Sequence, residues 1–279
     1  MTNIAKIVEL ALWEDLKDIG DITADNLISK EQIGSGRIFA KADGIVAGTE
    51  FIAETFKQVD SNITFDVALP DGTRVIYGDT IATFSGAVVS VLKAERTILN
   101  FLGHLSGIAT LTSEMMTIAK PYGTTIACTR KTTPMLRNAE KFAVKSGGGD
   151  THRFGLYDAV MIKDNHLVAC PNLIDATNAV RASVPKGTKI EVEVDTLEQL
   201  QQVLIAKPDV VLLDNMSPDT IKKAIEITNK TCLLEASGNI TPDTLKSYCE
   251  TGVDIVSMGW LTHSAKNLDV SLELLLTQS

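Results

Sequence analysis

Cysteine is scarce in this chain: four in 279 residues, Cys128, Cys170, Cys232 and Cys249, with no Cys-x-x-Cys pair among them. That excludes a zinc knuckle or a disulfide-built scaffold and leaves reduced thiols in a cytosolic protein as the expectation. Basic charge is also short, with 26 Lys and Arg against 35 Asp and Glu and a formal net charge of -9. So acidic a chain is not built to coat nucleic acid or an anionic membrane, and neither is expected as a partner. No apolar run approaches the roughly 18 residues that cross a bilayer. The first residues carry Lys6, Glu9, Glu14 and Asp15, which is not the pattern of a signal peptide. Over Met1 to Leu16, the stripe Ile4, Ile7, Val8, Ala11 and Leu12 instead predicts an amphipathic helix.

What is present divides into two rhythms. Apolar residues make up 44% of the chain, enough for one large α/β domain or two smaller ones. Up to about residue 90, short β-like runs alternate with turns. Arg37–Ala40 and Ile45–Ala47 flank an Asp43-Gly44 turn, a helix fits Glu50–Val59, and strands fit Ile63–Leu69, Arg74–Tyr77 and Thr80–Phe84. The Gly72 to Gly86 stretch lacks the exposed turn lysine of a biotinyl or lipoyl domain, so a structural layer is expected there. From Ser90 to Lys120 the pattern is helical, with a break expected near Ser106-Gly107.

After residue 120 the apolar runs Thr125–Cys128, Ala159–Ile162, Ile190–Val194, Val210–Leu213, Cys232–Glu235 and Ile255–Met258 read as buried parallel strands. Amphipathic helices fit Leu173–Ser183, Leu197–Ala206, Pro218–Thr228 and Pro242–Glu250. The strand-end residues Lys163, Glu193, Asp214, Ser237 and Gly259 are spaced by 30, 21, 23 and 22 residues, which is the period of a β/α unit. Six such strands predict an incomplete or open α/β barrel.

Barrels place their chemistry just past the C-terminal ends of the strands. There the sequence offers Thr129-Arg130-Lys131-Thr132-Thr133-Pro134, then Lys163-Asp164-Asn165-His166, Glu191 and Glu193, Asp214-Asn215, Glu235-Ala236-Ser237-Gly238, and Gly259. Gly147-Gly148-Gly149-Asp150-Thr151-His152-Arg153 precedes the second strand. Each alone has an ordinary explanation: a solvated lysine, a helix cap, a structural histidine. Their recurrence at every strand end is what points to a site. From Cys128 to His166 seven basic residues meet four acidic ones, inside an otherwise acidic protein. Such a focus of positive charge suits a small polyanion, with arginine forks for carboxylate and phosphate and lysines as mobile charges. Glu193 and Asp214 suit Mg²⁺ and ribose hydroxyls. The loops Ser237-Gly238-Asn239 and Met258-Gly259-Trp260 allow backbone N–H groups close to a phosphate.

These residues resemble a known family. Glu14-Asp15…Gly20-Asp21-Ile22-Thr23, Glu95-Arg96-Thr97, His104-Leu105-Ser106-Gly107-Ile108-Ala109-Thr110, Thr129 to Pro134, Gly147-Gly148-Gly149, His152 to Asp158, Ile162 to His166 and Thr262-His263-Ser264 are similar, in order, to quinolinate phosphoribosyltransferase. The resemblance implies an N-terminal α/β sandwich (residues 1–110) and an open, seven-stranded α/β barrel (residues 111–279). A C-terminal helix at 266–279 is expected to pack on the sandwich. It implies a homodimer, or a higher oligomer built from it, with active sites shared between subunits. Arg96 would reach across to substrate carboxylates also bound by Arg130, His152 and Arg153. Lys131 and Lys163 would hold phosphoribosyl pyrophosphate, with Glu193 and Asp214 near the ribose and Mg²⁺, the implied cofactor. Ser237, Gly238 and Gly259 would line the 5′-phosphate site, and His263 stands with them as substrate-binding. The pyridine nitrogen is itself the nucleophile, so no activated Ser or Cys is needed.

Several positions depart from the family pattern. Cys128 replaces a frequent Asp, Asp150-Thr151 a Val-Asn-like pair, Asn239 a usual Gly, and Trp260 a small residue. Cys128 and the Asp150 region resemble ModD-like pyrophosphorylase paralogues of molybdenum-transport clusters, which act on a different acceptor. Those generally lack the Glu-Arg-Thr and Lys-Asp-Asn-His strings intact here. A Schiff-base aldolase with Lys163 as nucleophile is the alternative from another class.

Overall fold

The computed structural model describes residues 4–276; residues 1–3 and 277–279, the ends of the expected first and last helices, lie outside that range. In order the elements are α1 (Ile4–Leu16), α2 (Ala24–Leu27), β1 (Ile33–Ala40), β2 (Gly44–Ile45), α3 (Thr49–Val59), β3 (Thr64–Val67), β4 (Arg74–Val75), β5 (Thr80–Ala87) and α4 (Val88–Ala119). There follow β6 (Thr125–Ala127), α5 (Arg137–Ser146), β7 (Val160–Ile162), α6 (Asp164–Ala169), α7 (Leu173–Ser183), β8 (Ile190–Val194) and α8 (Leu197–Ile205). The last are β9 (Val210–Asp214), α9 (Pro218–Thr228), β10 (Leu233–Ser237), α10 (Pro242–Cys249), β11 (Ile255–Ser257), α11 (Trp260–His263) and β12 (Val270–Leu276). Two compact units divide them. One takes the chain up to Ser113, Thr133–Gly148 and the segment from Ala265 on; the other takes Glu114–Thr132 and Gly149–Ser264.

The first unit holds an antiparallel sheet in the order β12-β1-β5-β3. Its core gathers Ile38, Ile52, Phe56, Ile81, Phe84, Ile98 and Leu102, all but shut off from solvent. α1 buries Val8 and Leu12 of the predicted stripe. The strands flanking Asp43-Gly44 do not pair with each other: β1 runs between β12 and β5, while β2 pairs with β4. Gly36 on β1 is a packing requirement, since a Cβ there would lie 2.0 Å from the Glu273 carbonyl oxygen.

The structure corrects two expectations. α4 runs unbroken through Ser106-Gly107 for 32 residues. The pair serves close approach instead: Ser106 Oγ accepts the Ala47 N–H at 2.9 Å, and a Cβ on Gly107 would come within 2.1 Å of the Lys266 carbonyl oxygen. The expected C-terminal helix is a strand, β12, which pairs with β1 from Gly34↔Leu276 to Ala40↔Val270. Val270, Leu272 and Leu274 alternate onto the core, a period-two pattern that Leu275 and Leu276 blur in the sequence.

The second unit is a six-stranded sheet in the order β6-β11-β10-β9-β8-β7, with every pair parallel. The six predicted strands appear within a residue or two, and β8 is buried along its whole length, as strands covered on both faces are. β6 and β7, consecutive in the chain, stand at opposite ends of the strand order, so the barrel is open between them. Where the family resemblance implies seven strands, the described residues form six and a one-residue parallel bridge, Asp150 to Ala127. Asp150 N–H donates to Ile126 O at 2.8 Å, and its carbonyl accepts the Cys128 N–H at 3.0 Å. No helix among the described residues is long and apolar enough to cross a membrane.

Candidate active site

Side chains two apart on a strand share a face, so the inner face of the parallel sheet is set by register. Glu191 and Glu193 of β8, Leu212 and Asp214 of β9, and Glu235 and Ser237 of β10 fall on it; Glu193 is level with Leu212, and Ser237 with Asp214. A cavity of about 330 Å³ opens at the C-terminal ends of the strands. It is lined by Thr129, Arg130, Lys131, His152, Arg153, Lys163, Glu193, Asp214, Ser237 and Gly238, with Cys128, Met161, Leu212, Glu235 and Ser257. Nine of the twelve residues given a site role from the sequence, all of the first ten named except Thr129, are therefore brought together.

Local geometry explains how each is held. Lys131 N–H donates to Thr129 Oγ1 at 3.1 Å, and its carbonyl accepts the Thr262 hydroxyl at 2.7 Å, fixing the loop that follows β6. Gly259 and His263 do not line the cavity but stand behind Lys131: a Cβ on Gly259 would meet Lys131 Cδ at 2.9 Å and His263 Nε2 at 3.1 Å. Lys163 caps α6, where His166 Nδ1 accepts its backbone N–H at 2.9 Å. The Lys163 ammonium pairs with the Glu193 carboxylate. Gly238 turns at φ 93°, and a Cβ there would be 2.3 Å from Asn215 Oδ1. Asn239, at φ 52°, occupies a left-handed position, which is why the pattern favours glycine and why asparagine serves. Arg96 lies exposed on α4, in the first unit, and is not among the cavity's lining residues.

Electrostatics in the cavity is governed by crowded cations. Burial, then the positive charge of Arg130, holds the Arg153 guanidinium below its ordinary value. Two guanidiniums that repel each other are stabilised by an anion between them. Deeper in, the His152 ring meets two buried carboxylates, its Nε2 lying 3.1 Å from Glu191 Oε2 and 3.3 Å from Glu235 Oε2. Burial alone would lower the histidine, yet the two carboxylates outweigh it and raise it to about 9. Burial also pushes Glu191 up, as does the charge of Glu235. Nδ1 of His152 accepts the Arg153 N–H at 2.8 Å. The sequence noted Glu191 and Glu235 at strand ends without giving them a role; their period-two register with Glu193 and Ser237 was the available signal.

Comparison with known proteins agrees with this geometry. The C-terminal domain of quinolinate phosphoribosyl transferase matches residues 108–273, and the N-terminal domain of the same enzyme matches residues 21–106. A probable nicotinate-nucleotide pyrophosphorylase (carboxylating) of Bacillus subtilis is 42% identical over 264 residues, covering 94% of this chain and 91% of its own. A quinolinate phosphoribosyltransferase (decarboxylating) of Nicotiana tabacum is 38% identical, covering 96% of this chain and 81% of its own. Among solved structures, the nicotinate-nucleotide pyrophosphorylase of Francisella tularensis superposes with a TM-score of 0.94 at 37% identity, over 98% of this chain and 97% of that one. By both of its halves and by its fold, the chain belongs to the quinolinate phosphoribosyltransferase family.

Proposed function

We infer that the chain catalyses transfer of the phosphoribosyl group from phosphoribosyl pyrophosphate to quinolinate, releasing pyrophosphate and CO₂ and forming nicotinate mononucleotide on the route to NAD. The observation that carries this reading is the cavity itself: Arg130 and Arg153 crowd together beside two lysines, Lys131 and Lys163, and two carboxylates, Glu193 and Asp214. One part suits an aromatic dicarboxylate, the other a pyrophosphorylated ribose. The bond from C1′ to the pyrophosphate oxygen breaks as the pyridine nitrogen bonds to C1′. Lys131 and Lys163 stabilise the charge that develops on the leaving group. The alkylated ring is then cationic and accepts the electron pair left at C2 when the carboxylate departs as CO₂; a proton takes its place.

Glu193 and Asp214 end neighbouring strands and both face the cavity. Two hard oxygen donors, leaving the other positions to substrate oxygens and water, fit Mg²⁺. Bound there, the ion would neutralise charge on the departing pyrophosphate. Ser237 and Gly238 hold the 5′-phosphate, with Gly259 and His263 supporting Lys131. The reading assigns Arg96 to the site of a partner subunit in a homodimer, because it is an exposed cation of the family's Glu-Arg-Thr string outside the cavity lining. Four cysteines without disulfides suit a reducing compartment such as the cytosol. A Schiff-base role for Lys163 is disfavoured, since a neutral amine would be needed where the ammonium pairs with Glu193.

The test is product analysis. Purified chain with Mg²⁺, quinolinate and phosphoribosyl pyrophosphate is expected to give nicotinate mononucleotide and pyrophosphate in equal amounts. Folded protein that yields neither would overturn the reading. Mixing Arg96→Ala with Lys163→Ala subunits is expected to restore part of the activity, because mixed dimers carry one intact site; absence of rescue argues against the shared site.

A further inference from the structure

The loop that carries Arg130 and Lys131 leaves the sheet from β6, which stands at one end of the strand order with β11 as its neighbour. An end strand has a full ladder on one side only, so a loop leaving it needs other anchors. One is at its root, where the Cys128 N–H donates to the Asp150 carbonyl at 3.0 Å and the Cys128 thiol to the Thr151 carbonyl at 3.3 Å. Three residues further on, the Lys131 carbonyl accepts the Thr262 hydroxyl at 2.7 Å. Thr262 is 3% exposed, so water is poorly placed to replace that bond.

Thr262 lies on α11, directly after β11. β11 is itself fixed to β6, through the Ser257↔Ala127 register and the Met258 N–H donating to the Ala127 carbonyl at 2.9 Å. The turn is closed by the Thr262 N–H on the Gly259 carbonyl at 3.1 Å. The Thr262 hydroxyl also lies 3.3 Å from the Gly259 oxygen, but it has one proton, and the shorter contact to Lys131 takes it. The lysine stem leans on the same turn. A Cβ on Gly259 would stand 2.9 Å from Lys131 Cδ and 3.1 Å from His263 Nε2, so the missing side chain is the room the stem occupies. A lysine is a point charge on a flexible stem, and its direction is set by whatever holds its backbone and first carbons.

We propose that Thr262 is a positioning residue for the phosphoribosyl donor: by holding the Lys131 carbonyl it sets the direction in which the Lys131 ammonium enters the cavity. Thr262 is not among the cavity's lining residues and acts through Lys131. Arg130 sits closer to the anchored root of the loop, so the acceptor side depends less on this bond. The inference rests on the reading of Lys131 as a cation that holds phosphoribosyl pyrophosphate. Affinity for that compound is therefore measured apart from turnover: wild-type protein that binds it without consuming quinolinate faults the acceptor, and wild-type protein that does not bind it overturns both.

The experiment compares Thr262→Val, Thr262→Ser, Lys131→Ala and the double variant Thr262→Val/Lys131→Ala, by calorimetric titration with phosphoribosyl pyrophosphate and Mg²⁺ and by steady-state kinetics. Thr262→Val keeps the shape and removes the donor. It is expected to weaken phosphoribosyl pyrophosphate binding about fivefold while the KM for quinolinate changes by less than about twofold. Thr262→Ser keeps the hydroxyl and is expected to bind within about twofold of wild type. In the Lys131→Ala background the backbone bond is still present but the ammonium is gone, so Thr262→Val is expected to add nothing to the loss of affinity. A purely structural threonine would give additive losses there and would move both substrates alike; either result overturns the proposal, as does a folded Thr262→Ser that binds no better than Thr262→Val. If Thr262→Val fails to fold, Gly259→Ala takes its place: its methyl presses on the flexible lysine stem, and the same selective loss is expected.

Discussion

Both units bury charge, and they use it differently. In the first, Glu140 is fully buried and both its oxygens are satisfied, one by His104 Nε2 at 2.9 Å and the other by the Thr133 N–H at 3.1 Å. Its partners lie on α4 and just before α5, so it joins segments of scaffold. In the second unit, Glu191, Glu193 and Glu235 are nearly as buried, but they face a cavity, and two of their oxygens, Glu191 Oε1 and Glu235 Oε2, have no hydrogen-bond partner among the described residues. The difference shows that burial alone does not mark function. Buried charge that is internally satisfied holds a fold; buried charge kept at a cavity wall is held in reserve for chemistry or for aiming another group.

Mutations should separate the two uses. The largest effect is expected from Lys163→Ala, which removes a cation that pairs with Glu193 at the cavity. kcat/KM should fall by about 10²–10³-fold, with the melting temperature nearly unchanged. A large loss of stability would blur the contrast. Next comes Gly36→Ala on β1, where the new methyl would press on the Glu273 carbonyl. We expect about 2–3 kcal/mol of destabilisation by denaturant titration, with unchanged KM values in the folded fraction. A selective rise in KM there would break the comparison.

The smallest effect lies outside both uses. Burial, then the charges of Asp254 and Asp209, pushes the Cys232 thiol up to about 11, and burial also raises Cys249. Raised thiols are mostly protonated near pH 8 and react slowly, whereas Cys170 is exposed. Iodoacetamide followed by peptide mapping should therefore label Cys170 first. Labelling of Cys232 should speed up as the pH rises towards 11. Equal labelling of Cys232 and Cys170 at pH 8 would contradict the burial assigned to Cys232.

The second unit was legible in the sequence because its signals are local. Strand and helix alternate at a fixed period, and every strand end carries a polar group, so the sheet and nine cavity residues follow from spacing. Asn239 and Asp150, which look like departures from the family pattern, become ordinary once their backbone roles are seen: a left-handed turn and a bridge to β6. Cys128 donates its thiol to the Thr151 carbonyl at 3.3 Å, and the Trp260 ring packs edge-on near His263. The first unit hid more. β12 joins β1 across more than two hundred residues of sequence, and no local pattern announces such a partner. Ser106-Gly107 looks like a helix break because a sequence does not show that another segment lies against it. The approach of His152 to Glu191 and Glu235 was invisible for the same reason: the two carboxylates come from different strands, and their meeting depends on register.

The most direct test of the central claim tracks the carbon. With quinolinate labelled in its 2-carboxylate, the chain should release labelled CO₂ only when phosphoribosyl pyrophosphate is present, and Lys163→Ala should slow the release by about 10²–10³-fold. Nicotinate, which lacks that carboxylate, should be a poor acceptor. Release without phosphoribosyl pyrophosphate, or nicotinate accepted as readily as quinolinate, would contradict the assignment of this cavity to decarboxylating transfer.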